Sequence, residues 1–337
     1  MPTPPAASPP PTPPRQAGPP GAGRQGQAPP LALGRAGQIF EVKSKGRSAL
    51  VTEQGAGLLS VNWDGTELLN HVNDDGYGGN GAHGQVLAPW PGRVSRGAYS
   101  YAGEEHRLPV DDQAHGAAIH GLARWLTWAP KHEAPGSLTM AARLLARPGY
   151  PFCFDLEQSY TWLAGRLEVS FRATNIGRCP APFGYGCHPY FTVGLPSVDE
   201  GILSVPASEY LATDNDLNPL LPARPVDGTP YDFRQPRPVG DARLDVALGG
   251  FQRCGDAEVA VTFASPDGAV VITCHYGPEV RFVQLFSGDT LTVGRRQGLA
   301  IEPYTCAPNA FNNGLGLKEV GPGETLRVDW SVSAHLA

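Results

Sequence analysis

The sequence predicts an all-β protein, built as a large antiparallel β-sandwich. From Gln38 onward, short runs of alternating apolar and polar residues follow one another, and turn-forming residues separate them. Glycine and proline are abundant, at 42 and 35 residues, which favours many tight turns over long helices. No long segment keeps the 3.6-residue apolar period of an amphipathic helix, so a βαβ arrangement is not expected.

A series of short segments is predicted to form strands, because apolar or β-branched residues alternate with polar ones within each segment. The best defined turns are the hairpin at Ala164-Gly165 and the turn at Pro266-Asp267-Gly268. The predicted strands are 39–42, 48–51, 57–63, 138–145, 155–163, 166–174, 258–264, 269–275, 282–286, 298–302 and 325–333. Two stretches, 74–85 and 211–238, lack this pattern and are predicted to be long loops.

Residues 1–36 differ in composition from the rest of the chain. Proline, alanine, glycine and glutamine dominate them, and their charged side chains are Arg15, Arg24 and Arg35. Such a segment cannot bury enough apolar surface to offset the entropy lost on ordering, so we expect a disordered tail with polyproline II character. A proline-recognition module could bind this tail, but an extension without a selected function is the simpler interpretation.

The overall charge narrows the classes of ligand. A net charge of -6 argues against electrostatic binding of nucleic acid or of an anionic membrane, and a small neutral or polar ligand fits better. No stretch approaches the ~20 apolar residues of a membrane span, and no basic and apolar leader begins the chain, so a cytoplasmic protein is expected. The six cysteines include no C-x-x-C pair, which predicts reduced thiols and neither a zinc site nor a redox motif.

Several short segments place a reactive or charged side chain among glycine, proline and aromatic residues. They are 88–94 with Arg93, 118–121 with His120, 186–191 with His188, 301–304 with Glu302 and, more weakly, 243–245 with Asp245. Each residue alone also has a structural interpretation, such as a buried histidine bonded to the backbone or a glutamate that ends a strand. The aromatic residues near these segments have two interpretations: they pack in a core, or they stack on a sugar ring. They are Trp90, Trp125, Tyr190, Phe191 and Tyr304.

The interconversion of the two anomers of a free aldose requires this kind of residue set. A base takes the proton of the C1 hydroxyl while an acid protonates the ring oxygen, and the roles reverse when the ring recloses. An imidazole suits the acid because its pKa of about 6.5 allows it to give and take a proton near neutrality. Glu302 at the end of an apolar strand would be partly desolvated and therefore a better base. We therefore interpret His188 and Glu302 as a candidate acid–base pair.

In order along the chain, these segments resemble the signature series of the aldose 1-epimerase (galactose mutarotase) family. The resemblance extends from about residue 38 to the C-terminus and includes the segments 308–312 and 320–325. It implies a β-sandwich of the galactose mutarotase type over residues 37–337, with a catalytic sugar cleft and neither a cofactor nor a metal. By motif position, Glu302 would be the base at the C1 hydroxyl and His188 the acid at the ring oxygen. Arg93 and His120 would hydrogen-bond the sugar, and Asp245 would bind its hydroxyls.

The chain departs from the family pattern at three positions. The galactose enzymes are expected to have asparagine before both histidines and a second glycine after His120-Gly121. Ile119, Cys187 and Leu122 occupy those positions here, which indicates a divergent, bacterial-type branch.

Three other functions remain open at this point. A hexose-6-phosphate 1-epimerase would concentrate basic residues at the cleft, to which Arg93 and Arg96 could contribute. A non-catalytic carbohydrate-binding module would not need an acid–base pair. A glycosidase or lyase could use Asp245 and Glu302 as a carboxylate pair. A free aldose is preferred because lysine is nearly absent near the other motifs.

Overall fold

A computed structural model describes residues 34–70, 81–253 and 257–337. Nearly all regular structure in these ranges is β, as predicted. The helical segments are α1 (Ala310–Asn313) and the 3-10 turns Ala123–Trp125 and Val198–Glu200, and no described helix is long and apolar enough to cross a membrane. In chain order the strands are β1 (Ile39–Ser44), β2 (Arg47–Thr52), β3 (Leu58–Trp63), β4 (Thr66–Glu67), β5 (Val86–Leu87), β6 (Arg93–Ser95), β7 (Ala98–Tyr101), β8 (Glu104–Arg107), β9 (Ala117–Ile119), β10 (Ala129–Ala134), β11 (Ser137–Leu144), β12 (Phe154–Leu163), β13 (Arg166–Asn175), β14 (Ala181–Phe183), β15 (Gly186–Cys187), β16 (Tyr190–Phe191), β17 (Ile202–Ser204), β18 (Glu209–Thr213), β19 (Pro219–Pro225), β20 (Arg237–Pro238), β21 (Asp245–Gly249), β22 (Val259–Ala264), β23 (Val270–Tyr276), β24 (Phe282–Phe286), β25 (Leu299–Tyr304), β26 (Lys318–Val320) and β27 (Thr325–Leu336).

Two large antiparallel sheets form the sandwich. One has nine strands in the order β10-β11-β12-β13-β27-β23-β22-β17-β20, and the other has the order β19-β18-β21-β24-β25-β15-β5, with β16 also paired to β25. Apolar side chains of both sheets belong to one continuous buried core, as Phe171 and Trp330 of the first sheet and Ile301 of the second illustrate. The four-stranded sheet β1-β2-β3-β4 and three two-stranded sheets complete the described β structure.

The sequence pattern explains the central hairpin of the nine-stranded sheet. In β12 and β13, buried residues alternate with partly exposed ones, so one face of each strand contributes to the core. Ala164 and Gly165 connect these strands with positive φ angles of 49° and 80°, as a tight hairpin turn requires. The hairpin predicted from the sequence is therefore confirmed.

The prediction of a long loop at 211–238 is wrong, because this stretch contains β19, β20 and most of β18. Strand β19 has the sequence PLLPARP and lies at the edge of the eight-stranded sheet. Proline lacks a backbone N–H and is tolerated at an edge, where one side of the strand needs no ladder partner. The strand was missed because its prolines are typical of a loop. In the other predicted loop, 74–80 lie outside the described residues, and 81–85 precede β5 without forming a strand.

Most of the remaining unpredicted strands have two to four residues, too few to establish an alternating pattern. Of the predicted disordered tail, residues 1–33 lie outside the described part of the chain. Five cysteines, Cys153, Cys179, Cys187, Cys274 and Cys306, are free thiols, as expected for each of them. The sixth, Cys254, falls in the undescribed segment 254–256.

One buried hydroxyl links the two sheets beneath the face that carries Glu302. Tyr276 of β23 is fully buried, and its Oη donates a 3.2 Å hydrogen bond to the carbonyl of Ile301 in β25. The bond fastens the strand that carries Glu302 to the opposite sheet.

We expect Tyr276→Phe to lower the free energy of unfolding by about 1–2 kcal/mol, because a buried carbonyl loses its donor. Urea denaturation followed by circular dichroism measures this. Tyr101→Phe is the matched control, since the Tyr101 hydroxyl bonds the exposed Glu319 and its loss should cost less than about 0.5 kcal/mol. Equal effects of the two substitutions would contradict the structural role of Tyr276.

Candidate active site

The antiparallel register places His188 opposite Glu302. Gly186 of β15 pairs with Tyr304, and Tyr190 of β16 pairs with Ala300, both in β25. The same register continued between these two pairs sets His188 against Glu302. Pro189 follows His188 and lacks a backbone N–H, so the chain leaves the regular ladder at this point. The two side chains therefore project from the same face of the sheet.

Glu302 is held at this position by contacts to both carboxylate oxygens. Its Oε1 lies 3.4 Å from His188 Nε2, and its Oε2 accepts a 3.0 Å hydrogen bond from Tyr304 Oη. On the other neighbouring strand, Gln284 is its cross-strand partner. The Glu302 side chain is only 1% exposed, so these contacts replace most of its hydration.

Aromatic contacts fix the plane of the His188 ring. The Tyr190 ring stacks on it at a centroid distance of 4.8 Å and an interplanar angle of 10°. The His120 ring meets it edge-on at 5.2 Å. Nδ1 of His188 and Nδ1 of His120 are buried, and neither has a hydrogen-bond partner within the described residues. Both nitrogen atoms are thus available to a ligand or to water.

His120 is brought to this place by a tight turn after β9. Its φ angle is 61°, and its backbone N–H donates to the carbonyl of Gly92. Gly121 follows with φ of 70°, and a Cβ there would lie 2.2 Å from the carbonyl oxygen of Ala88. Because only glycine permits so close a backbone approach, glycine at position 121 is a geometric requirement of this turn.

Arg93 connects two acidic residues at the other side of the site. Its Nε donates a 2.8 Å hydrogen bond to Asp112, and its Nη1 lies 3.9 Å from Asp245 Oδ2. Gln284 Nε2 donates a 2.7 Å hydrogen bond to Asp245 Oδ1, while Gln284 Oε1 is buried and without a partner among the described residues. His115 completes the group through a 2.9 Å contact with Asp112.

Burial dominates the electrostatics of Glu302 and His188. It raises the pKa of Glu302 well above its ordinary value, although the hydrogen bond from Tyr304 opposes the shift. Burial likewise lowers the pKa of His188 and of His120 well below the ordinary value of histidine, and neighbouring cationic groups add to both shifts. These shifts favour a neutral carboxyl and neutral imidazoles. A single proton can therefore pass between Glu302 and His188 without a net change of charge.

Asp112, Arg93 and Asp245 form a second group of charged side chains. Its two carboxyl groups differ in the direction of their pKa shifts. Burial opposes ionisation of Asp112, but hydrogen bonds from Arg93 and His115 hold its pKa below the usual range. Burial raises the pKa of Asp245, with Arg93 opposing the change. Arg93 therefore lies between a firmly ionised carboxylate and one that is closer to its protonated form.

All five residues named from the sequence lie in this one region of the structure, on or beside the face of the eight-stranded sheet that carries Glu302. The structure adds Gln284, Asp112 and His115, which sequence reasoning missed. Gln284 lies within an otherwise apolar strand, Phe-Val-Gln-Leu-Phe, and this isolated polar residue was the available signal. Among the aromatic candidates, Trp125 is 49% exposed and covered by the Arg124 guanidinium. The other four are buried: Trp90, Tyr190, Phe191 and Tyr304.

A family model and several known proteins match this chain in sequence. The model of the aldose 1-epimerase family matches residues 38–333. The uncharacterized protein YihR of Escherichia coli K12 is 34% identical over 301 residues, which cover 88% of this chain and 93% of that protein. Human galactose mutarotase is 26% identical over 174 residues, half of each chain.

Solved structures share the fold. A GalM/aldose epimerase homologue from C. elegans superimposes with a TM-score of 0.80 at 18% identity, covering 89% of this chain and 99% of that one. Galactose 1-epimerase from Lactobacillus acidophilus gives 0.74 at 18% identity, over 89% and 98% of the two chains. The all-β sandwich is therefore of the galactose mutarotase type, and the chain belongs to the aldose 1-epimerase family.

Proposed function

We propose that this chain interconverts the α and β anomers of a free aldose, with Glu302 and His188 as the acid–base pair. The observation that carries the proposal is the 3.4 Å contact between Glu302 Oε1 and His188 Nε2 in a buried site. Ring opening removes one proton from the C1 hydroxyl and adds one to the ring oxygen. A facing base and acid perform both transfers without a metal or a cofactor.

For the cycle to balance, Glu302 and His188 together carry one exchangeable proton. With the ring bound, Glu302 is ionised and His188 is protonated; Glu302 accepts the C1 hydroxyl proton, and His188 donates to the ring oxygen as the C1–O bond breaks. The open-chain aldehyde then faces a neutral carboxyl and a neutral imidazole. After rotation about the C1–C2 bond, reclosure returns both protons. Burial favours the neutral pair, which lowers the free energy of the ring-opened stage relative to the ion pair.

The remaining polar groups suit the hydroxyls of a sugar. Arg93 can donate hydrogen bonds to them, His120 can donate or accept, and Asp245 can accept. The unpartnered Gln284 Oε1 and His120 Nδ1 supply further buried positions for hydroxyl groups. Asp245 and Glu302 lie on strands separated by β24, and Asp245 bonds Gln284 rather than Glu302. This supports a binding role for Asp245 over a place in a catalytic carboxylate pair.

The charges of the site favour an unphosphorylated sugar. Arg93 is shared between Asp112 and Asp245, and Arg124 pairs with Asp111 at 2.9 Å. A phosphate would compete with these carboxylates for the guanidinium groups. Polarimetric rates on glucose and galactose should therefore exceed the rate on glucose 6-phosphate. A higher kcat/KM on glucose 6-phosphate would favour the hexose-6-phosphate 1-epimerase instead.

We expect Glu302→Gln to lower kcat about 10²- to 10⁴-fold while KM changes little, because the amide keeps the shape but cannot accept the proton. The relaxation of freshly dissolved α-glucose and α-galactose in a polarimeter measures this, after subtraction of the uncatalysed rate. Glu168→Gln is the matched control, since Glu168 lies on β13 of the other large sheet. Near-full activity of Glu302→Gln would remove Glu302 as the base. If wild-type protein binds sugars but leaves the relaxation at its uncatalysed rate, it is a binding module.

The pKa shifts predict the acid side of the pH profile. Activity falls when the pair takes up a second proton, and this proton binds to His188. Because the pKa of His188 is lowered, the midpoint of the acid limb of kcat/KM should lie below the ordinary value of about 6.5. Initial rates measured between pH 4 and 9 test this, with circular dichroism at each pH to exclude unfolding. An acid midpoint at or above 6.5 would contradict the buried, neutral histidine.

Arg93→Lys should lower kcat/KM at least ~10-fold, because one ammonium group cannot keep the geometry that the guanidinium makes with Asp112 and Asp245. Arg143→Lys is the control: Arg143 makes a comparable pair with Asp155 on the exposed face of the other sheet. Equal activity of Arg93→Lys and wild type would show that Arg93 does not hold the sugar.

A further inference from the structure

Tyr304 has a buried hydroxyl that contacts the proposed base directly. It lies two residues after Glu302 in β25, so both side chains project from the same face of the sheet. Tyr304 is 1% exposed, and its Oη donates to Glu302 Oε2 at 3.0 Å. Its ring packs in a small apolar cluster with Leu87, Phe282 and Ala307.

The strand that carries His188 provides the space for this ring. Gly186 pairs with Tyr304, and a Cβ at Gly186 would lie 2.9 Å from Tyr304 Cδ1 and 2.8 Å from Pro91 Cβ. The absence of a side chain at Gly186 therefore leaves space for the Tyr304 ring against β15. The hydroxyl is fixed by packing on both sides rather than by its bond to Glu302 alone.

We propose that Tyr304 is a positioning residue, which holds Oε2 of Glu302 so that Oε1 faces His188 and the reacting atoms. The role rests on the proposed function, because it concerns the same base. A carboxylate with one oxygen fixed has a defined reactive oxygen, and it loses less freedom when the substrate binds.

Electrostatics support this role. Burial raises the pKa of Tyr304 well above its ordinary value, so the hydroxyl stays protonated and acts as a donor to the carboxylate. The same bond opposes the rise that burial causes in the pKa of Glu302. The other titratable groups that act on Glu302 or contact it are His188, Asp245, Arg93, Tyr190, Tyr276 and Cys187. Of the groups that act on the Glu302 pKa, Tyr304 is the one that makes a hydrogen bond to its carboxylate.

Loss of the hydroxyl should move the pH profile in one direction. Glu302 and His188 titrate as a coupled pair, and losing the donor destabilises every state in which Glu302 is ionised. The pair then binds its protons more tightly, so the pH range in which it carries one proton moves upward. A hydrogen bond to a charged group corresponds to about one to two pKa units. This shift is shared between the acid limb and the basic limb of the pH profile. The midpoint between the two limbs should therefore rise by half of it, about 0.5–1 pH unit.

The test is Tyr304→Phe, assayed by polarimetry across pH. The expected result is a kcat about 10-fold lower, a KM within about twofold of wild type, and a profile centred at higher pH. A purely structural role would lower stability and leave the pH midpoint unchanged. Tyr276→Phe is the matched control, because its hydroxyl bonds the backbone of Ile301, next to Glu302, without a bond to the carboxylate. An unshifted midpoint in Tyr304→Phe, or an equal shift in Tyr276→Phe, overturns the proposal.

A second measurement does not depend on turnover. Protein with ¹³C-labelled glutamate side chains is titrated by NMR, and Glu302→Gln identifies the Glu302 carboxyl resonance. A higher pKa of this carboxyl in Tyr304→Phe than in wild type supports the proposal, and an unchanged pKa overturns it. If wild-type protein shows no mutarotation at all, the proposed function fails, and the NMR titration still decides whether Tyr304 holds the carboxylate.

Discussion

The antiparallel pairing of β15 and β16 with β25 is the constraint on which the candidate site depends. It sets His188 against Glu302 and gives Tyr304 its space over Gly186. A shift of one residue in this register would turn one of the two side chains into the core. The core side of β25 resists such a shift, because Ile301 is fully buried there and its carbonyl is bonded by Tyr276.

The same pairing explains why a carboxyl and an imidazole can remain buried together. An isolated buried charge costs several kcal/mol, and a buried pair is retained only where each partner has further contacts. Glu302 has Tyr304, and His188 has the Tyr190 ring. The pair avoids part of the cost because a proton transfer between its members leaves both neutral. Catalysis would use the similar free energies of the ionised pair and the neutral pair, since ring opening likewise converts one into the other.

The sequence was sufficient to predict the all-β class, the longer strands and the central hairpin. These depend on local alternation and on turn residues, which a sequence displays directly. It failed for β19, where an edge position made prolines acceptable, and for the two- to four-residue strands near the site. It also missed Gln284 and Asp112, because their importance comes from a cross-strand neighbour and from a contact with Arg93. Long-range register decides such contacts, and no local pattern encodes it. His188 and Glu302 were identified through an ordered series of motifs, while their 3.4 Å contact needed the structure.

The departures from the galactose-enzyme pattern acquire a physical meaning in this fold. Cys187 precedes His188 and projects to the opposite face of β15, where it is fully buried in the main core; burial raises the pKa of its thiol. Leu122 also belongs to that core, one residue beyond the tight turn of His120-Gly121. Two of the three unusual positions therefore hold core side chains. The contact between His188 and Glu302 is therefore compatible with different core side chains at these positions. Under the proposed function, we expect selectivity among aldoses to depend on polar residues beside Glu302, such as Gln284 and Asp245.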